Sequence, residues 1–250
     1  MRTFVIADCR LPKSQIDRLT ELGFTPVLLP PSPRLGSAVA SHTDMLMLFD
    51  GEVLITESEY YRSNKELIDG IISHSGAELI LSDTAFESEY PKDAIFNACL
   101  TKDKIFLKSD SIAKEILSYS EARGLKAVST KQGYPACTAL ILNESAAITS
   151  DRGMAKTLEK EGFLTTIIDN TPNIYLPPHE YGFIGGCAGV YRDTVYFTGN
   201  VDAHPEAEAI KGAIADAGLR CVSLASGELL FDVGGLRFFD EAIDSDGKQG

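Results

Sequence analysis

Asp44, Asn97, Cys137, Gly186 and Asp232 share one relation in the chain: each stands just ahead of a stretch that reads as a β-strand. Counted back from the hairpin turns at Asp50, Asp103, Asn143 and Arg192, the first four hold equivalent positions, and Asp232 falls near the same level. If these segments converge, a thiol, an amide and two carboxylates face one another, with His42 two residues from Asp44. Carboxylates hold cations, an imidazole can pass protons near neutral pH, and a thiol becomes a nucleophile once ionised. Such a set could carry out covalent chemistry on a small cation.

The remaining reactive side chains read differently. Cys99 and Cys221 sit in apolar strands and read as core, whereas Cys187, between Gly186 and Ala188, is the second candidate nucleophile. Cys137 itself could also be a small buried hydrophobe opening a strand, and His42 could bridge a loop. His74 falls where a helix ends, beside its negative pole. His204, ahead of Pro205, reads as a helix cap. Asp202, His204, Glu206 and Glu208 form a loose acidic cluster without the spacing of a metal site, and no metal or cofactor is expected. Gly182, Gly185, Gly186 and Gly189 lack the Gly-Lys-Ser/Thr and the helix that a phosphate loop needs, so they point to close backbone packing. Tyr90, Tyr134 and Tyr181 recur ahead of the strands and either line a pocket mouth or pack between units.

The positions align because the chain repeats a strand pair, helix and strand roughly every 40 to 60 residues. The clearest copy has strands at 138–142 and 146–149, a cap at Ser150 or Asp151, a helix to Lys160, a stop at Gly162 and a strand at 164–168. A second copy has strands at 45–49 and 53–56, a helix at 64–74, Gly76, and a strand at 79–81. A third has strands at 95–100 and 104–108, Ser109-Asp110-Ser111 as cap, a helix to Ala122, Gly124, and a strand at 125–129. A further copy has strands at 188–191 and 194–198, a helix at 205–217, Gly218, and a strand at 220–224. The N-terminal copy, with strands at 3–7 and 26–29, a helix at 13–22 and Gly23, lacks a first strand that 231–239 can supply. Pairing of the two termini would leave no open edge; an open array of five units is the alternative. The expected fold is α/β, a five-bladed propeller of ββαβ units with pseudo-fivefold symmetry, closed by the terminal strands. It forms one domain over 1–250, with units at 1–30 plus 228–240, 42–82, 94–130, 135–169 and 184–225.

Composition narrows the partners. An apolar content of 44% in 250 residues suits one globular body. The net charge of −13 opposes direct binding to a phosphate backbone, so no direct nucleic acid partner is expected. No apolar run approaches the roughly 18 residues of a membrane span. Five scattered cysteines without Cys-x-x-Cys spacing suit free thiols in a reducing cytoplasm. Residues 244–250 read as a polar tail.

Taken together, the repeat and these segments resemble the pentein, or guanidino-group-modifying, fold superfamily, which includes arginine deiminases, dimethylarginine hydrolases and amidinotransferases. Lys131-Gln132-Gly133-Tyr134, Tyr181-Gly182-Phe183-Ile184-Gly185-Gly186 and Asp232-Val233-Gly234-Gly235 look most like a branch without an assigned activity. The family's histidine lies in a His-x-Asp motif, matched by His42-Thr43-Asp44, and its carboxylate beside Gly-Gly is matched by Asp232. Its cysteine lies two blades after the histidine, where Cys137 stands. The resemblance implies Cys137 as nucleophile, His42 as acid and base, and Asp232 as a catalytic carboxylate. It also implies Asp44, Asn97 and Gly186 at the binding site of a small cationic guanidino or amidino compound. With its cysteine mid-chain, this would be a circularly permuted member. Val233 separates Asp232 from the glycines, and a clasping aspartate expected one blade earlier is replaced by Gly185-Gly186-Cys187. The competing expectation is a non-catalytic binding module, as in the ribosome anti-association factors of this fold.

Overall fold

Residues 1–169 and 173–242 are described by a computed structural model; the tail expected at 244–250 lies outside them. Among the described residues the chain forms five three-stranded sheets, in each of which the middle strand is antiparallel to one neighbour and parallel to the other. The unit read most clearly from sequence shows why. Ala139–Asn143 pairs antiparallel with Ala146–Thr149, and the helix Arg152–Lys160 then carries the chain back to lay Leu164–Ile167 parallel to it. Asp151 caps this helix by accepting from the Met154 amide (2.6 Å). Met154, Ala155 and Leu158 form its buried stripe. Gly162 ends the turn at a φ of +93°, a conformation that favours a residue without Cβ.

The two termini meet as expected. Arg237–Asp240 runs antiparallel to Thr3–Asp8, from Thr3 opposite Asp240 to Ile6 opposite Arg237, and takes the place of the missing first strand. Phe239 seals this joint, stacked on Phe4 with ring centroids 5.0 Å apart and edge-on to Phe49 at 5.4 Å.

The segments that lead into the first strands depart from expectation. Thr43–Leu46 and Pro135–Thr138 are single helical turns, which take in residues 45–46 and 138 read as strand, and Gly185–Cys187 is a 3-10 turn. The strands therefore start later than predicted, at Met47 and Ala139. In the third unit the strand expected at 95–100 is only Cys99–Leu100, and the helix starts at Lys114, after Ala113, rather than at the Ser109-Asp110-Ser111 cap. The strand expected at 231–239 is broken, because Gly234 and Gly235 take φ of +71° and +81° and turn the chain between Leu230–Phe231 and Arg237–Asp240. Leu230–Phe231 instead pairs with Ile174–Tyr175 in a two-stranded sheet that the repeat did not foretell. Local turn geometry overrides apolar patterning at each of these places.

Truncating Phe239 to Ala should cost about 3–5 kcal/mol of stability, by lost burial and a cavity in the joint. Leu164→Ala, at a side chain 71% exposed, should stay within about 0.5 kcal/mol. Urea midpoints of the two variants that coincide would show that the terminal joint contributes little.

Candidate functional site

The turns that displaced the strands bring the predicted residues together. Thr43 is the first connection, since its hydroxyl donates to the Gly234 carbonyl (2.5 Å), with the Gly235 carbonyl 3.1 Å away. The amides of Val233 and Gly235 both donate to the Gly186 carbonyl (2.9 Å each). His42-Thr43-Asp44, Gly185-Gly186 and Asp232-Val233-Gly234-Gly235 are thus sewn into one patch. Two glycines make room for it. A Cβ on Gly186 would lie 1.9 Å from Asp232 Oδ1, and one on Gly234 would lie 2.5 Å from His42 Cβ.

Asp232 therefore fills the space of a side chain at Gly186, where the resemblance led us to expect a clasping aspartate. The Phe183 and Gly234 amides donate to its two oxygens (2.8 and 3.1 Å). Cys137 reaches the cluster from the turn Pro135–Thr138, and its thiol donates to Asp44 Oδ2 (2.7 Å). Asn97 stands behind the sulfur. Its Nδ2 lies 3.3 Å from Cys137 Sγ while its Oδ1 accepts from the Ala136 amide (2.8 Å), so it braces the thiol on both sides.

His42 is fully buried amid carboxylates without hydrogen-bonding to any of them. Its Nδ1 lies 3.8 Å from Asp232 and 3.9 Å from Asp44, and its Nε2 lies 4.0 Å from Asp8. Neither ring nitrogen nor Asp44 Oδ1 has a partner among the described residues. Such unpaired buried groups are costly unless something arrives to satisfy them. One nitrogen of His42, one oxygen of Asp44 and Cys137 Sγ lie within 4.8 Å of one another, the only such group among the described residues able to hold a metal ion. The acidic cluster around His204 is not assembled; His204 Nδ1 instead accepts from the Glu206 amide (3.1 Å), the capping role expected of it.

Burial governs the protonation of this patch. It lowers His42 to about 3, helped by the nearby Arg10. It raises Asp44 to about 6, with Arg237 opposing, and Asp232 to about 7, with Asp44 adding repulsion. The Cys137 thiol is pushed well above its ordinary value by burial and then by Asp44 and Asp232. At rest the cluster thus holds a neutral imidazole, an un-ionised thiol and carboxylates reluctant to carry full charge.

Above the cluster opens a cavity of about 700 Å³ whose lining includes His42, Cys137 and Asp232. Tyr90, Tyr134 and Tyr181 line it as well, so the expected mouth tyrosines both face a pocket and pack, Tyr90 on Tyr134 at 5.4 Å between ring centroids. Asp44 lines a second cavity of about 430 Å³ that also includes Cys99 and Arg237. Cys187 lines neither; its thiol donates to the Phe183 carbonyl (3.1 Å) within the core.

Asp8 and Arg10 were not foreseen. Asp8 ends the N-terminal strand fully buried, grips Arg10 through both oxygens and faces His42 from behind. A carboxylate closing an apolar strand was the one local sign of it.

Because Asp44 and Asp232 bind protons more tightly folded than unfolded, they favour the folded state most at low pH. This contribution is lost as pH rises through about 4 to 7. Asp44→Asn should therefore gain on the parent by a few degrees more in Tm at pH 8 than at pH 5, at roughly 2–4 °C per kcal/mol. A Tm difference independent of pH would mean that Asp44 carries no buried charge.

Solved structures share this architecture at low identity. Dimethylarginine dimethylaminohydrolase from Pseudomonas aeruginosa, complexed with citrulline, is 13% identical with a TM-score of 0.55 over 89% of this chain and 92% of its own. SxtG, an amidinotransferase of Microseira wollei from the saxitoxin biosynthetic pathway, is 12% identical with a TM-score of 0.53 over 88% and 87%. Agmatine deiminase of C. jejuni is 10% identical with a TM-score of 0.52 over 89% and 76%. The fold is thus that of the penteins. No curated protein matches the sequence. A match does extend over residues 6–237, nearly the whole chain, and by it the chain belongs to DUF6873, a family of unknown function.

Proposed function

We propose that this protein is a cysteine-dependent hydrolase or transferase acting on a small guanidino or amidino compound. The five units would serve as blades of one propeller domain whose axis holds the site. The observation that carries this reading is the group of Cys137, His42 and Asp44 within 4.8 Å, joined by Asp232, with His42, Cys137 and Asp232 lining one cavity. A guanidinium there would supply the donor that Asp44 Oδ1 lacks and offset the charge of Asp44 and Asp232, and its presence would lower the energy of a thiolate at Cys137.

In this scheme a bond forms between Cys137 Sγ and the guanidinium carbon as the thiol proton passes to His42, directly or through the Asp44 carboxylate. The carbon–nitrogen bond then breaks as His42 delivers a proton to the departing amine. Water displaces the sulfur in a hydrolase, and a second amine does so in a transferase; either restores the thiol. Asn97 is a positioning residue in this scheme, orienting the sulfur, and Gly186 provides the space that Asp232 occupies. The solved relatives, which include a complex with citrulline and an amidinotransferase, support this class of substrate. All five cysteines are free, which fits work in a reducing compartment, and no helix among the described residues could cross a membrane. A purely binding module would leave the unpaired imidazole beside the thiol unexplained.

In a Cys9→Ser background, which removes the exposed thiol, 2-chloroacetamidine should modify Cys137 about tenfold or more faster than neutral 2-chloroacetamide, as read by mass spectrometry. Cys137→Ser should abolish that labelling; equal labelling of both proteins would remove Cys137 as nucleophile. Calorimetric affinity for methylguanidine should rise from pH 5 to pH 8 as Asp44 and Asp232 shed protons. A flat profile would count against the two carboxylates as cation clamps.

A further inference from the structure

Beyond His42, Cys137 and Asp232, the cavity has a lining with a chemistry of its own. Among the described residues that line it there is no lysine or arginine, yet Asp93 and Glu180 are present besides Asp232. Arg10, whose guanidinium donates to the Ser37 carbonyl (3.1 Å), is engaged bidentately by Asp8 and does not line the cavity. His42 and His179 are the basic side chains in the described lining, so a substrate carboxylate would find no permanent cation here and would meet carboxylates of its own sign.

Asp93 is the decisive residue. It is 6% exposed, it precedes the third unit rather than belonging to the cluster around Cys137, and its Oδ2 accepts from the Tyr134 hydroxyl (2.7 Å). The Asp93 and Ala94 amides face the carboxylate, but Oδ1 is buried without completing a hydrogen bond to any described residue. Nearby rings are held in place. Tyr90 packs onto Gly133, where a Cβ would lie 2.2 Å from the ring, and both Tyr90 and Tyr134 line the same cavity. Burial raises Asp93 above the usual carboxylate range, and an ammonium group would favour its charged form; an oxygen lacking a donor beside two packed tyrosine rings suits such a group and the methylenes that lead to it.

We infer that Asp93, walled by Tyr90 and Tyr134, is an ammonium subsite, so that the substrate is a guanidine carrying a terminal amine on an alkyl chain and not a guanidino amino acid. This substrate class rests on the guanidinium reading of the cluster around Cys137, whereas the ammonium subsite stands on the lining alone.

Calorimetry on the full chain at pH 8 tests it with aminoalkylguanidines of three to five methylenes, the matching alkylguanidines without the amine, arginine, and 1,4-diaminobutane. The best aminoalkylguanidine should bind about tenfold or more tightly than its amine-free match, with arginine weaker than both. Asp93→Asn should erase the advantage of the amine, and Asp44→Asn should weaken every guanidine. The comparison among ligands on the unaltered chain decides the matter even if Asp93→Asn does not fold. Equal affinity with and without the amine, or arginine binding as tightly, would overturn the subsite and leave the guanidinium reading standing. Diaminobutane binding that depends on Asp93 while no guanidine binds better would keep the subsite and overturn the guanidinium reading. Binding by none of the compounds would overturn both.

Discussion

The burial of the Asp232 carboxylate in the space that Gly186 leaves empty is the constraint on which the site depends. It requires a glycine at position 186, amides from Phe183 and Gly234 to hold the charge, and a reversing turn through Gly234 and Gly235 to aim the side chain. That turn in turn needs Thr43 and the Gly186 carbonyl to hold it. Through these bonds the closure of the chain, the segment ahead of the second unit and the segment ahead of the fifth are coupled. A change in one moves the others.

The same packing leaves the centre electrostatically incomplete. Three carboxylates, Asp8, Asp44 and Asp232, surround an imidazole that hydrogen-bonds to none of them, and of the three Asp8 alone forms an ion pair with an arginine, Arg10, among the described residues. A core selected for stability alone would fill or pair such groups, since apolar residues of similar volume are often at least as stable. The deficit is what a planar cation could make up, and the raised thiol of Cys137 means that nucleophilicity would depend on that cation being present.

Sequence and structure agree best where the cause is local. Gly23, Gly76, Gly124, Gly162 and Gly218, read as helix stops, all adopt positive φ, and Asp151 caps the helix predicted to follow it. Agreement fails where the chain makes its approach to the cluster. Residues 43–46, 135–138 and 185–187 form helical turns, overriding the strand read at 45–46 and 138, because each must turn sharply between the buried cluster and its sheet. The break at Gly234-Gly235 was misread for a related reason: flanking phenylalanines dominate the pattern, while the two glycines dominate the geometry.

By itself the sequence determined the repeat, the order of elements within it, the pairing of the termini and the short set of residues able to do chemistry. Those depend on periodicity and on equivalent offsets, which survive in one dimension. Only the tertiary structure decided that Cys137 rather than Cys187 lines the cavity, that Asn97 braces the sulfur, and that Asp8, Arg10 and Asp93 join from elsewhere in the chain. Direction and depth of a side chain come from packing across distant segments, and no single-residue pattern encodes them. The protonation of the site was likewise invisible, because it follows from desolvation, which exists only once distant segments bury the cluster.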